Sequence, residues 1–268
     1  MGALTQELLD GVLGIAVDAG GRILEVYDSA DFGVTQKGDE SPLTRADLAA
    51  HEHIVGRLKR LCPDIPVLSE EDADIPYETR RSWTRYWLVD PLDGTKEFIK
   101  RNGEFTVNIA LVDAGVPVLG VVHAPALKLT YIAAQGLGAH RIEGTRRIPM
   151  KTRKTPSRPA LVVSKSHRDD KLEAFLKHMP EHDAVSRGSS LKLCLVANGE
   201  ADLYPRTGPT SEWDTAAGHC VAEQAGALVL SLPDLKPLRY NQKESLLNPE
   251  FLVIGDPDYG WERRLPRA

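Results

Sequence analysis

The chain has 268 residues, of which 42% are hydrophobic and 26% charged, and its formal net charge is −5. This is the composition of an ordinary soluble globular protein, long enough for one large unit or two smaller ones sharing a core. The acidic balance argues against a nucleic-acid polymer as partner, because such binders carry a basic footprint. Small phosphorylated molecules stay open, since a metal ion can supply positive charge locally.

Cys62, Cys194 and Cys220 are odd in number and widely spaced, the pattern of reduced thiols in an intracellular protein. Glu7 and Asp10 near the start do not fit a secretory signal. No apolar stretch is long enough to span a bilayer. A cytoplasmic protein without a transmembrane segment is therefore expected. Peripheral membrane association and oligomeric state are left open.

A first helix is predicted over about 4–30, where Leu8, Leu9, Val12, Ile15, Ala16 and Ala19 recur at helical spacing. Gly20-Gly21 weakens its middle. A polar loop at 37–42 precedes a second helix that Thr44 caps, with Asp47 in its first turn. Pro63 and Pro66 stop that helix. A short strand at 66–69 ends at Glu70-Glu71-Asp72. Strands follow at 85–89, 106–113, 116–123, 129–134 and 138–142, with Asp113-Ala114-Gly115 as a hairpin turn. The stretch 146–159 holds six basic residues and three prolines. It marks the expected boundary between units 1–155 and 156–268, and reads as a solvated linker rather than a phosphate site.

The second half alternates elements: a strand at 160–164, helices at 171–178 and 191–198, a strand at 202–204, a helix from Trp213 or Asp214 to 225, and a strand at 227–230. Such alternation predicts α/β architecture with some parallel pairing, behind an α+β first half. The chain shows no internal repeat and no low-complexity segment.

Trp87-Leu88-Val89-Asp90-Pro91-Leu92-Asp93-Gly94-Thr95 carries the most chemistry. It reads as a buried strand that stops at an acid and turns through proline to a second acid. Two carboxylates there repel each other unless a cation joins them, and hard divalent cations prefer such oxygens. Gly94 and Thr95 open a helical segment whose N–H groups suit phosphate. Taken singly, Asp47 and Asp214 read first as first-turn acids that complement a helix dipole, and Glu70-Glu71 as a solvated loop. No Gly-x-Ser-x-Gly, P-loop or dinucleotide signature is present. His123 and His219 read as core-edge or surface residues rather than ligands.

In order along the chain, Thr44-x-x-Asp47, Glu70-Glu71, Asp90-Pro-Leu-Asp93-Gly-Thr95 and Trp213-Asp214-x-Ala-Ala-Gly218 resemble the lithium-sensitive, magnesium-dependent phosphatases related to inositol monophosphatase. The likeness covers nearly the whole chain. It implies a layered αβαβα sandwich. It also implies that Glu70, Asp90, Asp93, Asp214 and the Leu92 carbonyl ligate Mg²⁺, two or three ions per site. Asp47 and Thr95, with Glu70, would activate the attacking water, while Gly94 and Thr95 hold the scissile phosphate. Four carboxylates and a carbonyl without thiols suit that ion.

Within the family, residues 93–105, 164–167, 188–192 and 203–206 are most similar to the bisphosphate nucleotidase branch. That likeness implies a small nucleotide, adenosine 3′,5′-bisphosphate, as substrate, with 3′-phosphoadenylyl sulfate as a second one. Arg206 suits a second phosphate, and also reads as a surface strand residue. Lys192 would assist it, or is a solvated helix position. Tyr204 would pack against the nucleoside, or is a half-buried strand tyrosine. Ser166 and His167 would line the adenosine pocket. The rival readings are a polyol monophosphatase and a catalytically silent nucleotide binder.

Overall fold

A computed structural model describes residues 4–29, 33, 35–36, 42–163, 170–179 and 181–265. Two long helices open the chain, α1 (Gln6–Tyr27) and α2 (Arg45–Leu61). A seven-stranded sheet follows, built in chain order from β1 (Val67–Ser69), β2 (Arg85–Asp93), β3 (Thr106–Asp113), β4 (Val116–Ala124), β5 (Leu129–Ala134), β6 (Gly138–Glu143) and β7 (Arg146–Pro149). Only β1 and β2 pair in parallel; the rest is antiparallel. The short helix α3 (Thr95–Ile99) lies between β2 and β3.

The second sheet holds β8 (Ala160–Val162), β9 (Asp183–Val185), β10 (Leu203–Arg206), β11 (Leu228–Ser231), β12 (Lys236–Pro237) and β13 (Phe251–Ile254), in the spatial order β9-β8-β10-β13-β11-β12. It is mixed, with β8 parallel to both β9 and β10. Helices α4 (Asp170–His178), α5 (Leu191–Ala197) and α6 (Glu212–Gln224) complete the fold.

Three apolar cores separate five layers. Leu9, Val12, Ile15, Ile54 and Leu58 of α1 and α2 pack on Trp87, Val89, Ile109 and Val121. Residues of alternate parity, Leu88, Ala110, Val112 and Val122, point the other way. They meet α5 and α6, whose far side covers Val162, Tyr204, Val229 and Val253 of the second sheet. The remaining face of that sheet, Leu161, Leu203, Leu252 and Ile254, packs on Phe175, Met179 and Trp261. Burial on both faces explains why the strands read as continuous apolar runs. The architecture is the expected αβαβα sandwich.

Several boundaries differ from expectation. As expected, α1 runs unbroken through Gly20-Gly21, though it is shorter at both ends; a Cβ on Gly20 would meet the His123 ring at 2.6 Å, so the glycine allows helix and sheet to approach closely. Gly120 of β4 does the same for α6: its Cβ would fall 2.4 Å from the Ala217 carbonyl oxygen. Ala216, Ala217 and Gly218 are thus small because α6 is wedged between two sheets, Gly218 lying against Leu193. The basic stretch begins with an unexpected strand, β7, turned at Gly144 (φ +60°). Several of its cations are ion-paired. Arg153 forms a fork on buried Asp202 at 2.8 and 2.7 Å, Lys154 bonds Asp256 at 3.0 Å, and Arg158 bonds Glu181 and Asp183. The strands β9 and β13 were also unexpected, both being short runs among polar residues.

Candidate active site

The predicted turn at Asp90-Pro91-Leu92-Asp93 is instead the end of β2. Asp90 pairs with Asn108 and Asp93 with Thr106, so one extra residue bulges from β2. On a regular strand two residues three apart face opposite sides. The bulge returns both carboxylates to one side, and Pro91, which has no N–H to give a ladder, is tolerated there. Asp90 Oδ1 accepts the Leu92 N–H at 3.0 Å, fixing the bulge.

Asp214 reaches the same place from α6. Oxygens of Asp90, Asp93 and Asp214 lie within 4.8 Å of one another. Burial raises the Asp90 carboxyl well above its ordinary range, reinforced by repulsion from Glu70, Asp93 and Asp214 and by a hydrogen bond with Glu70. Burial, then Asp93, pushes Asp214 up to about 8. Glu70 is held at the end of β1 by its N–H bond to the Val89 carbonyl (3.1 Å). Crowded carboxylates of this kind suit a hard divalent cation, which would relieve their repulsion.

Asp47 and Asp214 share a local design. Each occupies the third position of its helix, and its Oδ2 accepts the cap residue's backbone N–H at 2.8 Å, from Thr44 and Ser211 respectively. The capping and functional readings are therefore compatible: one oxygen caps and the other is left for the site. Asp47 Oδ1 lies 3.4 Å from the Thr95 hydroxyl, which is equally far from the Leu92 carbonyl. Gly94 (φ +90°) turns the chain from β2 into α3 and so brings Thr95 under Asp47.

A cavity of about 490 Å³ opens beside the acids. Asp93, Gly94, Thr95, Lys192, Tyr204, Arg206 and Asp214 line it; Asp47, Glu70, Asp90 and Leu92 do not. Arg206 is buried, not a surface residue. Its Nε and Nη2 donate to the Gly208 (3.0 Å) and Pro209 (2.8 Å) carbonyls, which fixes the guanidinium plane. Lys192 donates to the Ser189 carbonyl at 2.7 Å, and burial lowers its pKa. Tyr204 is buried against Phe251 rather than half-exposed, and burial pushes its hydroxyl up to about 12. Ser166 and His167 lie outside the described residues.

Sequence reasoning gave Ser189, Ser190 and Asn108 no role in the site. Asp93 Oδ2 accepts Ser189 Oγ (2.6 Å), the Ser190 N–H (2.7 Å) and Ser190 Oγ (2.8 Å). Ser190 Oγ is also 2.5 Å from the Asp214 carbonyl and accepts Asn108 Nδ2 at 2.8 Å. The serine thereby stitches the first sheet to α6. A serine before a helix reads as a cap, so its spacing carries no signal for this role. The other acids near Glu70, Asp72 and Asp74, are exposed. His123 and His219 are buried and bonded to Thr130 and Tyr240.

The profile of the inositol monophosphatase family matches residues 5–252. The chain belongs to that family. It is 54% identical over 247 residues to the 3′(2′),5′-bisphosphate nucleotidase CysQ of Escherichia coli K12, covering 92% of this chain and 99% of that protein. It is 38% identical over 262 residues to the Haemophilus influenzae protein of the same name, covering 96% of each. Among solved structures, CysQ of Bacteroides thetaiotaomicron superposes with a TM-score of 0.83 at 44% identity, covering 93% of this chain and 97% of that one. The inositol monophosphatase from Anabaena gives 0.74 at 28%, covering 93% and 91%. No helix among the described residues is long and apolar enough to cross a membrane.

Proposed function

We propose that this chain is a Mg²⁺-dependent phosphatase that hydrolyses adenosine 3′,5′-bisphosphate to AMP and phosphate, with 3′-phosphoadenylyl sulfate as a second substrate. The observation that carries the reading is one cavity lined both by Asp93 and Asp214 of a crowded carboxylate cluster and by a buried, oriented arginine. Glu70, Asp90, Asp93, Asp214 and the Leu92 carbonyl would hold two or three Mg²⁺ ions. Bound Mg²⁺ supplies a lowered water pKa and offsets charge on the transferring phosphoryl group.

The chain's own residues do the rest. The Asp47 carboxylate, anchored through Oδ2, directs Oδ1 at Thr95, so the pair can orient a water and take up its proton. Gly94 and Thr95 line the same cavity, and their N–H groups would bind the scissile phosphate. Arg206, beside Lys192, would meet the second phosphate, which a polyol monophosphate lacks. Units 1–155 and 156–268 divide the labour, the first giving Asp47, Glu70, Asp90 and Asp93, the second Asp214, Lys192 and Arg206. Three free thiols support a cytoplasmic setting.

The test is turnover of adenosine 3′,5′-bisphosphate and inositol 1-phosphate in parallel, with and without Mg²⁺. The reading requires a Mg²⁺-dependent preference for the nucleotide. In Arg206→Met, losing a charged hydrogen bond worth about 1.5–3 kcal/mol should raise the nucleotide KM roughly 10- to 150-fold. A preference for inositol phosphate would overturn the substrate assignment in favour of a polyol phosphatase. Binding of the nucleotide with no turnover would favour a silent binder.

A further inference from the structure

The connection between β12 and β13 leaves the second sheet and folds over the first turn of α6. The Glu212 N–H donates to the Leu246 carbonyl and the Asn248 N–H to the Thr210 carbonyl, both at 2.8 Å. The Asn241 N–H donates to both Glu212 carboxylate oxygens at 2.9 Å. The start of α6, two residues from Asp214, is therefore held by this loop as well as by Ser190.

Tyr240 and Asn248 anchor parts of this loop to Gly115, Thr215 and Ser211, and the stretch 241–244 is gripped by one further side chain, Arg80. Arg80 is only 2% exposed. Its Nη1 donates to Asn241 Oδ1 at 2.5 Å and to the Lys243 carbonyl at 3.2 Å, and its Nη2 donates to the Glu244 carbonyl. Asn241 Nδ2 returns a bond to the Arg80 carbonyl at 2.6 Å. Asn241 sits in the left-handed region (φ +55°), which asparagine tolerates better than most residues. A buried guanidinium is costly unless hydrogen-bonded and near compensating charge. Here those partners lie on chain segments remote in sequence. Arg80 follows Glu70 on the segment leading into β2, and Asn241 leads directly to Glu212 beside Asp214.

We propose that Arg80 is a positioning residue for the acidic cluster. Through Asn241 and Glu212 it sets the first turn of α6, and so Asp214, at the distance from Asp90 and Asp93 that a cation requires. The inference rests on the metal-binding reading given above. Outer partners that orient ligands are worth roughly 10- to 100-fold in metal affinity.

The test is calorimetric titration of Mg²⁺ into metal-free protein, with no substrate present. Wild type is compared with Arg80→Met, Arg80→Lys and Asn241→Gly. Glycine keeps the left-handed backbone and the N–H to Glu212, and removes only the amide that bonds Arg80. Each variant is first checked for a cooperative melt, and titrated well below its Tm. Mg²⁺ affinity should fall at least about tenfold in all three, since lysine lacks the fork that spans Asn241 and two carbonyls. At saturating Mg²⁺ most of the wild-type kcat should return. A lowered Tm with unchanged Mg²⁺ affinity in folded Asn241→Gly would reduce Arg80 to a stability role and overturn the proposal, even if Arg80→Met does not fold. A wild-type protein that binds no Mg²⁺ would instead defeat the metal reading itself, before any variant is considered.

Discussion

Gly120→Ala adds one methyl group between the first sheet and α6. The new carbon would fall 2.4 Å from the Ala217 carbonyl oxygen, 2.9 Å from Cys220 Cβ and 3.1 Å from the Ala217 carbonyl carbon. Even a close carbon–oxygen contact is about 3.3 Å, so the helix must retreat by roughly 1 Å. The obstacle is backbone, which cannot rotate away as a side-chain tip can. Overpacking costs typically about 1–3 kcal/mol, and this site belongs at the upper end. For a chain of this size ~3 kcal/mol corresponds to a Tm lowered by roughly 6–12 °C. The same retreat carries Asp214 away from Asp90 and Asp93. A misplacement of ~1 Å at a reacting site can cost about 10²-fold in rate. The assay pairs a thermal melt with kcat at saturating Mg²⁺ and nucleotide. Gly136→Ala is the control: nothing lies within 4 Å of its Cβ, so only the strain of φ +83° is felt, with kcat unchanged. If Gly120→Ala melts within about 1 °C of wild type and keeps its kcat, α6 is not wedged tightly between the sheets.

Neighbouring glycines of α1 should respond with opposite signs. Gly21→Ala, with open space around its Cβ, should raise stability by about 0.5–1 kcal/mol, whereas Gly20→Ala should lower it against the His123 ring, as urea midpoints would show. Asp93→Asn should abolish turnover, and wild-type activity across a Mg²⁺ titration would remove Asp93 from the metal set. Burial holds Asp214 near 8 in the folded chain, far above its unfolded value, so folding favours the protonated form. The metal-free protein should therefore lose stability as pH rises from about 4 towards 8, and its Tm should climb on acidification from pH 8 to pH 6. Mg²⁺ binding at pH 7 should release protons, seen as a buffer-dependent heat of binding; absence of both effects would contradict the crowding of these carboxylates.

Much of this protein was legible in its sequence because the signals are local. The apolar period of α1, the Thr44 cap, the hairpin at Ala114-Gly115 and the long runs of β2 to β5 each follow from neighbouring residues. So does the likeness of Asp90-Pro-Leu-Asp93-Gly-Thr95 and Trp213-Asp214 to a family of phosphatases. The convergence of those acids was not legible. A spacing of three residues on a strand separates Asp90 from Asp93 until a bulge, defined by pairing with Asn108 and Thr106, brings them together. The roles of Ser190, Gly120, Arg80 and Asn241 depend on partners from distant parts of the chain, so no local pattern records them. Arg206 also reads as a surface strand residue, and only burial beneath the loop after β10 decides otherwise. The sequence thus determined which chemical groups the chain carries and the elements that present them. Tertiary packing decided which groups meet, because distance between residues far apart in the chain is a property of the folded core alone.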